Sequence, residues 1–217
     1  MTESHLRVSA LALLLAASFP AHAVTSTFDT DAEGWSAQGD VERPLTWSGT
    51  DGNPGGNVFI DDLTTGGVTY FVAPAQFHGN FAGAFGTQLT FDLMQRYPGS
   101  PNQFNAEDVI LQGGGLTVVY NTASNPANNA WTSYSVPLSA TGWRLGNLSG
   151  SAPTDEQFLA VLSNLSSLKI RAEYQTGSDI GHLDNVSLVP EPGTAVMLLC
   201  GLGFIAFAAG RKARPAG

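Results

Sequence analysis

The sequence has little cysteine, little histidine and few positive charges. Its 217 residues include one cysteine and four histidines, and 9 basic residues stand against 18 acidic ones, a net charge of −9 at pH 7. A single cysteine, Cys200, cannot form an intrachain disulfide, so stability must come from core burial and backbone hydrogen bonds. The negative charge repels a phosphate backbone, which argues against a nucleic-acid partner.

The sequence also lacks the residue groups that most enzymes use. After the first 23 residues only His78 and His182 remain, too few for a histidine-rich metal site, and no G-x-S-x-G motif is present. The adjacent acidic residues at 61–62 and 107–108 fall in strand-like segments, where neighbours point to opposite faces. They are therefore poor acid–base partners for each other, and we expect no catalytic site.

Uncharged apolar runs occur at the two ends of the chain. Residues 1–23 read as a signal peptide, because the apolar segment 8–19 is followed by Ala21-His22-Ala23, which has the small-x-small form of a cleavage site. A buried N-terminal helix is the alternative interpretation. Residues 24–188 then form one exported domain, which has the size of a typical domain.

The C-terminal run predicts a transmembrane helix. Residues 194–210 are 17 residues without a charge, and a helix of that length rises about 25 Å, slightly less than a bilayer core. Arg211, Lys212 and Arg214 follow at once, which keeps this end cytoplasmic and makes the helix an inner-membrane anchor. A core helix of the domain is the alternative.

The region between the two ends predicts an all-β fold. Nine short runs rich in Val, Ile, Thr, Tyr and Phe alternate with Gly/Pro/Asn turns, which is typical of an antiparallel β-sandwich or jelly roll, the galactose-binding-like architecture. These runs are STFDT, PLTWS, NVFID, VTYFV, QLTFDLM, DVILQ, LTVVYN, TSYSVPL and SLKIRAEY. Residues 24–189 contain five basic and sixteen acidic residues, a balance of −11.

One short helix interrupts the strands. Thr154 and Gln157 have the spacing of a capping box, and Phe158, Val161, Leu162 and Leu165 fall on one helical face. We expect this helix to lie over one end of the sandwich.

The C-terminal segment 189–217 resembles a known sorting signal. Pro190-Glu191-Pro192, the apolar run and the terminal basic cluster are similar in kind and order to the PEP-CTERM signal of exported Gram-negative proteins. The resemblance implies processing by an exosortase-type transpeptidase and a location in the cell envelope, with release to the surface or matrix. An ordinary single-pass anchor with a proline linker is the alternative.

The domain itself resembles the laminin B domain, also called laminin IV type A. The resemblance rests on segments that follow in order through residues 27–188: FDTDAEGW, LTW, GGNVFIDD, TYFVAPAQFHGN, LTFDLMQ, DVILQGGG, FLAVLSNLSSLKIRAEY and LDNVSL. It implies a β-sandwich related to carbohydrate-binding jelly rolls, although the cysteine-rich modules that flank laminin domains are missing.

Two kinds of site are predicted in this domain. Large aromatic residues are expected mainly in the core, but Tyr70, Trp131 and Trp143 are candidates for stacking on sugar rings. First and last strands commonly lie side by side in jelly-roll modules, and the likeness to such modules implies a structural Ca²⁺ between these strands, held by Asp29 and Asp184. Two alternatives remain: Asp29 caps a turn and Asp184 accepts from nearby backbone amides, or Ca²⁺ binds in the loop 51–57.

Asp31 and backbone carbonyls near residue 55 would complete the predicted calcium shell.

The leading functional prediction is an exported, membrane-anchored, non-catalytic surface or extracellular-matrix protein that binds exopolysaccharide. The alternatives are an envelope glycan hydrolase or lyase on a jelly-roll scaffold, and a structural matrix subunit that self-associates through strand edges.

Overall fold

The computed structural model describes residues 23–63 and 66–189. The predicted signal peptide up to residue 22, the Pro-Glu-Pro motif, the predicted transmembrane helix and the basic tail lie outside the described residues. No helix in the part of the chain that the structure describes has the length and hydropathy needed to cross a membrane.

The described residues form twelve strands, one α-helix and two short 3₁₀ helices. The strands are β1 Val24–Ser26, β2 Ser36–Gln38, β3 Thr46–Gly52, β4 Gly55–Asp62, β5 Tyr70–Val72, β6 Gln88–Arg96, β7 Val109–Gly113, β8 Leu116–Tyr120, β9 Thr132–Pro137, β10 Arg144–Leu145, β11 Leu165–Arg171 and β12 Asp179–Leu188. The helix α1 is Asp155–Ser163, and the 3₁₀ helices are Ala75–Phe77 and Ala82–Ala84.

The strands form two six-stranded sheets, in which all pairs of strands are antiparallel. The first sheet has the order β3-β4-β12-β6-β9, and β1 pairs with the C-terminal half of β12. The second has the order β10-β8-β7-β11-β5-β2. The predicted antiparallel β-sandwich is therefore confirmed, and so is the expectation that first and last strands lie side by side.

The core lies between the two sheets and is rich in aromatic side chains, as expected. Phe28, Trp35 and Phe77 form a chain of edge-on ring contacts with centroids 5.9 and 5.3 Å apart. Phe91 stacks on Tyr134 across β6 and β9, at 5.3 Å. Such pairs add about 0.5–1.5 kcal/mol each beyond the area they bury, which helps a domain without disulfides.

The predicted helix is confirmed, with one correction at its end. Thr154 Oγ1 accepts from the Gln157 amide at 3.2 Å and Gln157 Oε1 accepts from the Thr154 amide at 2.9 Å, so both capping-box bonds form. Phe158 is buried, as the helical face predicts. Leu165 is not in the helix: α1 ends at Ser163, and Leu165 begins β11.

Candidate functional site

The candidate site lies on the face of the first sheet that points away from the core. Side chains alternate along a strand, so His182 on β12 points opposite to Leu183, which is in the core. His182 is directly opposite Phe59 on β4 and Met94 on β6. Register alone therefore brings an aromatic ring, an imidazole and a thioether into one row on the outer face.

A cleft of about 290 Å³ opens on this face. Its volume lies just below the range for small-molecule sites, which begins at about 300 Å³. The lining is both apolar and polar, which suits a ligand with flat faces and hydrogen-bonding edges. The lining residues are Ser48, Asp51, Asn57, Phe59, Arg96, Ile180 and His182.

Aromatic rings surround the imidazole in this region. The Phe59 ring lies 5.4 Å from the His182 ring at an interplanar angle of 33°. Trp131, which is half-buried, meets His182 edge-on at 6.2 Å and 76°, and its indole N–H donates to the Asp51 carbonyl at 3.2 Å. Phe59 and Trp131 thus offer partly exposed apolar surface beside polar groups.

His182 is buried and uncharged. Its Nδ1 lies 2.9 Å from Asn57 Oδ1, while the Asn57 amide nitrogen donates to the Thr50 carbonyl at 2.8 Å. The carbonyl of Thr50 fixes the amide orientation, so His182 Nδ1 carries the proton. Burial lowers the pKa of His182 to about 4, and the charge of Arg96 adds to this. Its Nε2 is closed from solvent and has no hydrogen-bond partner among the described residues.

The β3–β4 turn is held against the same face by buried carboxylates. The Asn53 amide donates to Asp184 Oδ2 at 2.6 Å, and the Asn53 side chain donates to Asp92 Oδ2 at 3.1 Å. Asn185 donates to both the Asn53 carbonyl at 2.6 Å and Asp92 Oδ2 at 2.9 Å. These bonds fix the position of Asp51, which leads into the turn with a left-handed φ of 68°.

Asp51 forms an open ion pair in the cleft. Its Oδ2 lies 3.8 Å from Nη2 of Arg96, and the two side chains are 63% and 39% exposed. That distance is too long for a hydrogen bond. Within residues 23–63 and 66–189, neither side chain has another polar partner. Both groups therefore keep their hydrogen-bonding capacity for a ligand.

The structure does not bring the three predicted stacking residues together. Trp143 is fully buried between Tyr120 and Phe158, and its indole N–H donates to the Pro137 carbonyl at 2.7 Å. A ring in the core cannot stack on a sugar, so this part of the prediction is wrong.

The other two stacking candidates lie on different sheets. Tyr70 begins β5 of the second sheet, where burial raises its pKa to about 12. Trp131 borders the cleft on the first sheet. Of the three predicted residues, Trp131 is therefore the one at the candidate site.

Two of the predicted calcium ligands, Asp29 and Asp184, lie next to the β3–β4 turn. Asp184 accepts from the amides of Asn53 and Asn185, at 2.6 and 2.7 Å, as the turn alternative expected. A side-chain carbon at Gly55 would lie 2.6 Å from Asp29 Oδ1, so the left-handed glycine, with φ 90°, lets Asp29 come close. Burial raises the pKa of Asp184 to about 6, and the charges of Asp92 and Asp29 contribute.

Asp31, the third predicted ligand, is placed differently. Its Oδ1 accepts from the Glu33 amide at 2.6 Å, and the residue is exposed. No three His, Cys, Asp or Glu side chains gather as metal ligands in the described ranges. Asp184 uses both carboxylate oxygens for backbone amides, Asp29 Oδ2 accepts from the Thr27 hydroxyl at 2.9 Å, and the observed bond of Asp31 is that of a turn cap.

A second acidic cluster lies away from the cleft, where the two sheets meet at the end of β11. Asp62 and Asp179 are opposite each other on β4 and β12, and Glu173 accepts from the Thr69 amide at 3.1 Å. Burial raises the pKa of Glu173 to about 8 and that of Asp179 to about 7, and the nearby charge of Asp62 raises both further. None of these carboxylates lines the cleft.

Sequence reasoning missed most of the cleft residues. Phe59 appeared only as one residue of a strand, Asp51 only as part of the alternative calcium loop 51–57, and Arg96 only as a charge. Their grouping depends on the pairing of β12 between β4 and β6, which joins segments more than 80 residues apart. The alternation Asn57-x-Phe59 and His182-x-Asp184 was the available signal, since it places polar and aromatic groups on one face of each strand.

Comparisons with known proteins agree with this fold. The family Laminin B (Domain IV) matches residues 70–190, and the PEP-CTERM protein-sorting motif matches residues 188–213. Laminin subunit gamma-1 of Danio rerio is 34% identical over 190 residues, which are 81% of this chain and 11% of that protein. The chain thus spans about a tenth of the length of the curated relatives it matches.

Two solved structures share the architecture at low identity. The L4b domain of human laminin alpha-2 has a TM-score of 0.50 at 18% identity, and the likeness covers 56% of this chain and 70% of that domain. A family 11 carbohydrate-binding module of a Clostridium thermocellum cellulosomal cellulase has a TM-score of 0.50 at 16% identity, covering 76% and 92%.

The two solved structures establish the fold alone. The family match covers more than half of the chain, from β5 through β12, and therefore includes three strands of the first sheet and five of the second. The chain belongs to the Laminin B (Domain IV) family and carries a PEP-CTERM protein-sorting motif at its C-terminal end.

Proposed function

We propose that this chain is an exported, non-catalytic protein of the cell surface or extracellular matrix, and that its domain binds polysaccharide through the cleft on the first sheet. The observation that carries the proposal is the cleft itself. Phe59 and the neighbouring Trp131 supply apolar ring surface, and Asp51 and Arg96 supply an acceptor and a donor without other side-chain partners. Sugars present the same combination of apolar ring faces and hydroxyl edges.

The sorting motif supports the proposed location. Residues 188–213 match the PEP-CTERM motif, and the described residues before this segment form a β-sandwich whose last strand is β12. We propose that an N-terminal signal over residues 1–23 exports the chain, that the segment 194–210 anchors it in the inner membrane, and that an exosortase processes the tail at Pro190-Glu191-Pro192.

The fold likeness supports a binding role. One structural neighbour is by name a carbohydrate-binding module, and relatives of this chain are laminin subunits, one of them human laminin gamma-1. In this chain the outer face of the first sheet carries the cleft, while the inner face is filled by the core. A rigid sheet with an open, mixed apolar and polar face is suited to holding an extended ligand.

The glycan-active enzyme is less well supported. Glycosidases need two carboxyl groups about 5–10 Å apart on either side of the bond they cleave. Of the residues that line the cleft, Asp51 is the one with a carboxylate. The raised pKa values of Glu173 and Asp179 belong to a buried cluster that does not line the cleft.

We also propose that Ca²⁺ binds between Asp29 and Asp184. Strand β1 pairs with β12, which contains Asp184, and Asp29 follows β1 by three residues. Burial raises the pKa of Asp184, and the charges of Asp92 and Asp29 add to this. When bound, the ion would supply positive charge there and lock the turn. Asp29 and Asp184 would hold it together with carbonyl oxygens of the turn.

Thermal unfolding of the full chain with CaCl₂ or with EGTA tests the calcium proposal. A ligand at 100 times its Kd adds about 2.7 kcal/mol of stability, so Tm should rise with Ca²⁺. Asp29→Asn should abolish the rise, and the matched variant Asp31→Asn should keep it. A Tm that does not respond to Ca²⁺ in the wild-type chain would remove Asp29 and Asp184 as ligands.

Affinity electrophoresis of the full chain in gels containing soluble polysaccharides tests the binding proposal. We expect at least one glycan to retard the wild-type chain and expect Phe59→Ala and Trp131→Ala to migrate freely. Tyr70→Ala, on the second sheet, is the matched control and should stay retarded. The proposal fails when no glycan retards the wild type, or when Tyr70→Ala loses binding while both cleft variants retain it.

A further inference from the structure

The charges that line the cleft differ from those of the domain around it. Residues 24–189 carry a balance of −11, whereas the cleft is lined by one carboxylate, Asp51, and one guanidinium, Arg96. His182 adds no charge, because burial and Arg96 keep its pKa at about 4. The cleft is therefore close to neutral inside an acidic surface.

The geometry of Asp51 and Arg96 leaves both groups available. The carboxylate and the guanidinium are 3.8 Å apart, beyond hydrogen-bond distance, and both are well exposed. Arg96 offers only donors and Asp51, when ionised, only acceptors. A ligand that meets both at once needs groups that accept and donate within a few ångströms.

The β3–β4 turn holds Asp51 in place beside Arg96. The Asp51 carbonyl accepts from the Trp131 indole at 3.2 Å, and two residues later Asn53 is bonded to buried Asp92 and Asp184. Arg96 is fixed at the end of β6, opposite Ile180 of β12. Because both groups stand on anchored backbone, little ordering is needed when a ligand binds.

Three ligand chemistries can be compared against this arrangement. A carboxylate or sulfate accepts from Arg96 but faces the like charge of Asp51 and of the acidic domain. An ammonium group donates to Asp51 but is repelled by Arg96. A vicinal pair of hydroxyls accepts from Arg96 and donates to Asp51, and the uncharged sugar is not repelled by either.

We propose that the cleft selects neutral glycans, with Arg96 and Asp51 as the residues that determine specificity by binding adjacent hydroxyls of one sugar. This rests on the proposed polysaccharide binding and adds the class of polysaccharide. Asp51 acts as the residue that excludes uronate-bearing polymers, and Phe59 provides the apolar wall against which the sugar ring lies. The cleft volume of about 290 Å³ limits the contact to a short segment of the polysaccharide.

A matched pair of ligands tests this selection. The probes are a neutral soluble glucan and the same glucan oxidised at C6 to the carboxylate, so that the two differ in charge and share their linkage. Isothermal titration with the full chain should show the oxidised polymer binding at least about tenfold more weakly, a difference of about 1.4 kcal/mol. Added salt should narrow that difference, because exposed charges are screened.

Variants of Asp51 and Arg96 test which of the two residues determines the preference for the neutral glucan. Asp51→Asn should weaken binding of the neutral glucan about threefold to tenfold, the effect of one hydrogen bond, and should strengthen binding of the oxidised glucan. Arg96→Gln should weaken binding of both polymers. Glu42→Gln, which removes an exposed charge outside the cleft, is the control and should change neither.

The outcomes separate this proposal from the one on which it rests. Failure of the wild-type chain to bind either form, or any other polysaccharide, would overturn both. Equal or preferential binding of the oxidised glucan would overturn the selection for neutral glycans while polysaccharide binding stands. An Asp51→Asn variant that binds both polymers with wild-type affinity would show that Asp51 does not determine the specificity of the cleft.

Discussion

Two arginine–aspartate pairs in this domain have opposite surroundings. Arg171 lies 3.3 Å from Asp108, and both side chains are essentially fully buried. Each guanidinium nitrogen of Arg171 donates a hydrogen bond. Nη1 donates to Asp108, Nε to the Glu173 carbonyl at 2.6 Å and Nη2 to the Phe104 carbonyl at 2.9 Å. The rings of Phe104 and Tyr174 lie 4.4 and 4.3 Å from its guanidinium.

The Arg96–Asp51 pair in the cleft has none of this enclosure. Its atoms are 3.8 Å apart and both side chains are exposed. The closed pair uses its donors to hold the end of β11 to the segments 104–108 and 173–174, so its role is structural. The open pair leaves donors and acceptors unused, which is the state expected of a binding site. The comparison separates residues that maintain the fold from residues that contact a ligand.

Breaking the closed pair should give the largest effect. Arg171→Met leaves the Asp108 carboxylate buried without its counter-charge, which costs about 3–5 kcal/mol. The same change in the open pair, Arg96→Met, should cost about 1 kcal/mol or less, because exposed ion pairs add little. Urea unfolding followed by tryptophan fluorescence measures both; equal losses would contradict the distinction.

The two tryptophans Trp143 and Trp131 extend the comparison to apolar groups. Trp143→Ala empties a fully buried site and should lower the free energy of unfolding by about 3–5 kcal/mol. Trp131→Ala, at a half-buried position, should cost far less stability and lose glycan binding. A Trp131 variant as unstable as the Trp143 variant would show that Trp131 belongs to the core.

Stability should fall as pH rises from mildly acidic to alkaline. Burial raises the folded-state pKa values of Glu173 and Asp179 from 4.5 and 3.8 to about 8 and about 7. The folded state therefore binds these protons more tightly than the unfolded chain. The resulting stabilisation is complete below about pH 4 and is lost as pH rises through about 7 to 8.

Urea unfolding at several pH values from 5.5 to 9 measures this dependence. Glu173→Gln should flatten the curve, because an amide keeps the neutral form at every pH. Glu42→Gln, at an exposed position, should leave the slope unchanged. A wild-type domain that becomes more stable between pH 6 and pH 9 would contradict the assignment.

The smallest expected effect is at the helix cap. Thr154→Ala removes the side-chain oxygen that accepts from the Gln157 amide and should cost about 1 kcal/mol. Ser151→Ala, an exposed change just before the helix, is the control and should stay within about 0.5 kcal/mol of the wild type. Differential scanning calorimetry resolves the two, and an equal Tm for both variants would argue against the cap.

Local patterns predicted the fold better than the site. Alternation in runs such as QLTFDLM correctly indicated β6, and the Thr154 capping box correctly indicated the start of α1. The short strands β2 and β10 were missed, since two or three residues carry no readable period. None of the nine predicted runs covers β12, and the run STFDT overlaps β1 only at Ser26. Leu165 continued the helical pattern but joins β11, where pairing with β7 decides its conformation.

The site could not be predicted because it depends on tertiary placement. Trp143 and Trp131 look alike in sequence, but one is enclosed by Tyr120 and Phe158 and the other borders the cleft. The placement of Asp29 and Asp184 on neighbouring segments was predictable, because it follows from the pairing of first and last strands. The meeting of Asp51 with Arg96 was not, since it requires the β3–β4 turn to fold over β12 and β6.

Chemical-shift mapping of the full chain with a neutral soluble glucan tests the central claim most directly. We predict that the backbone amides of Asn57, Phe59 and Arg96 and the indole of Trp131 shift as the glucan is added, while residues around Arg171 stay unchanged. Shifts confined to the second sheet near Tyr70, or no shifts with any neutral glycan, would contradict a binding cleft on the first sheet.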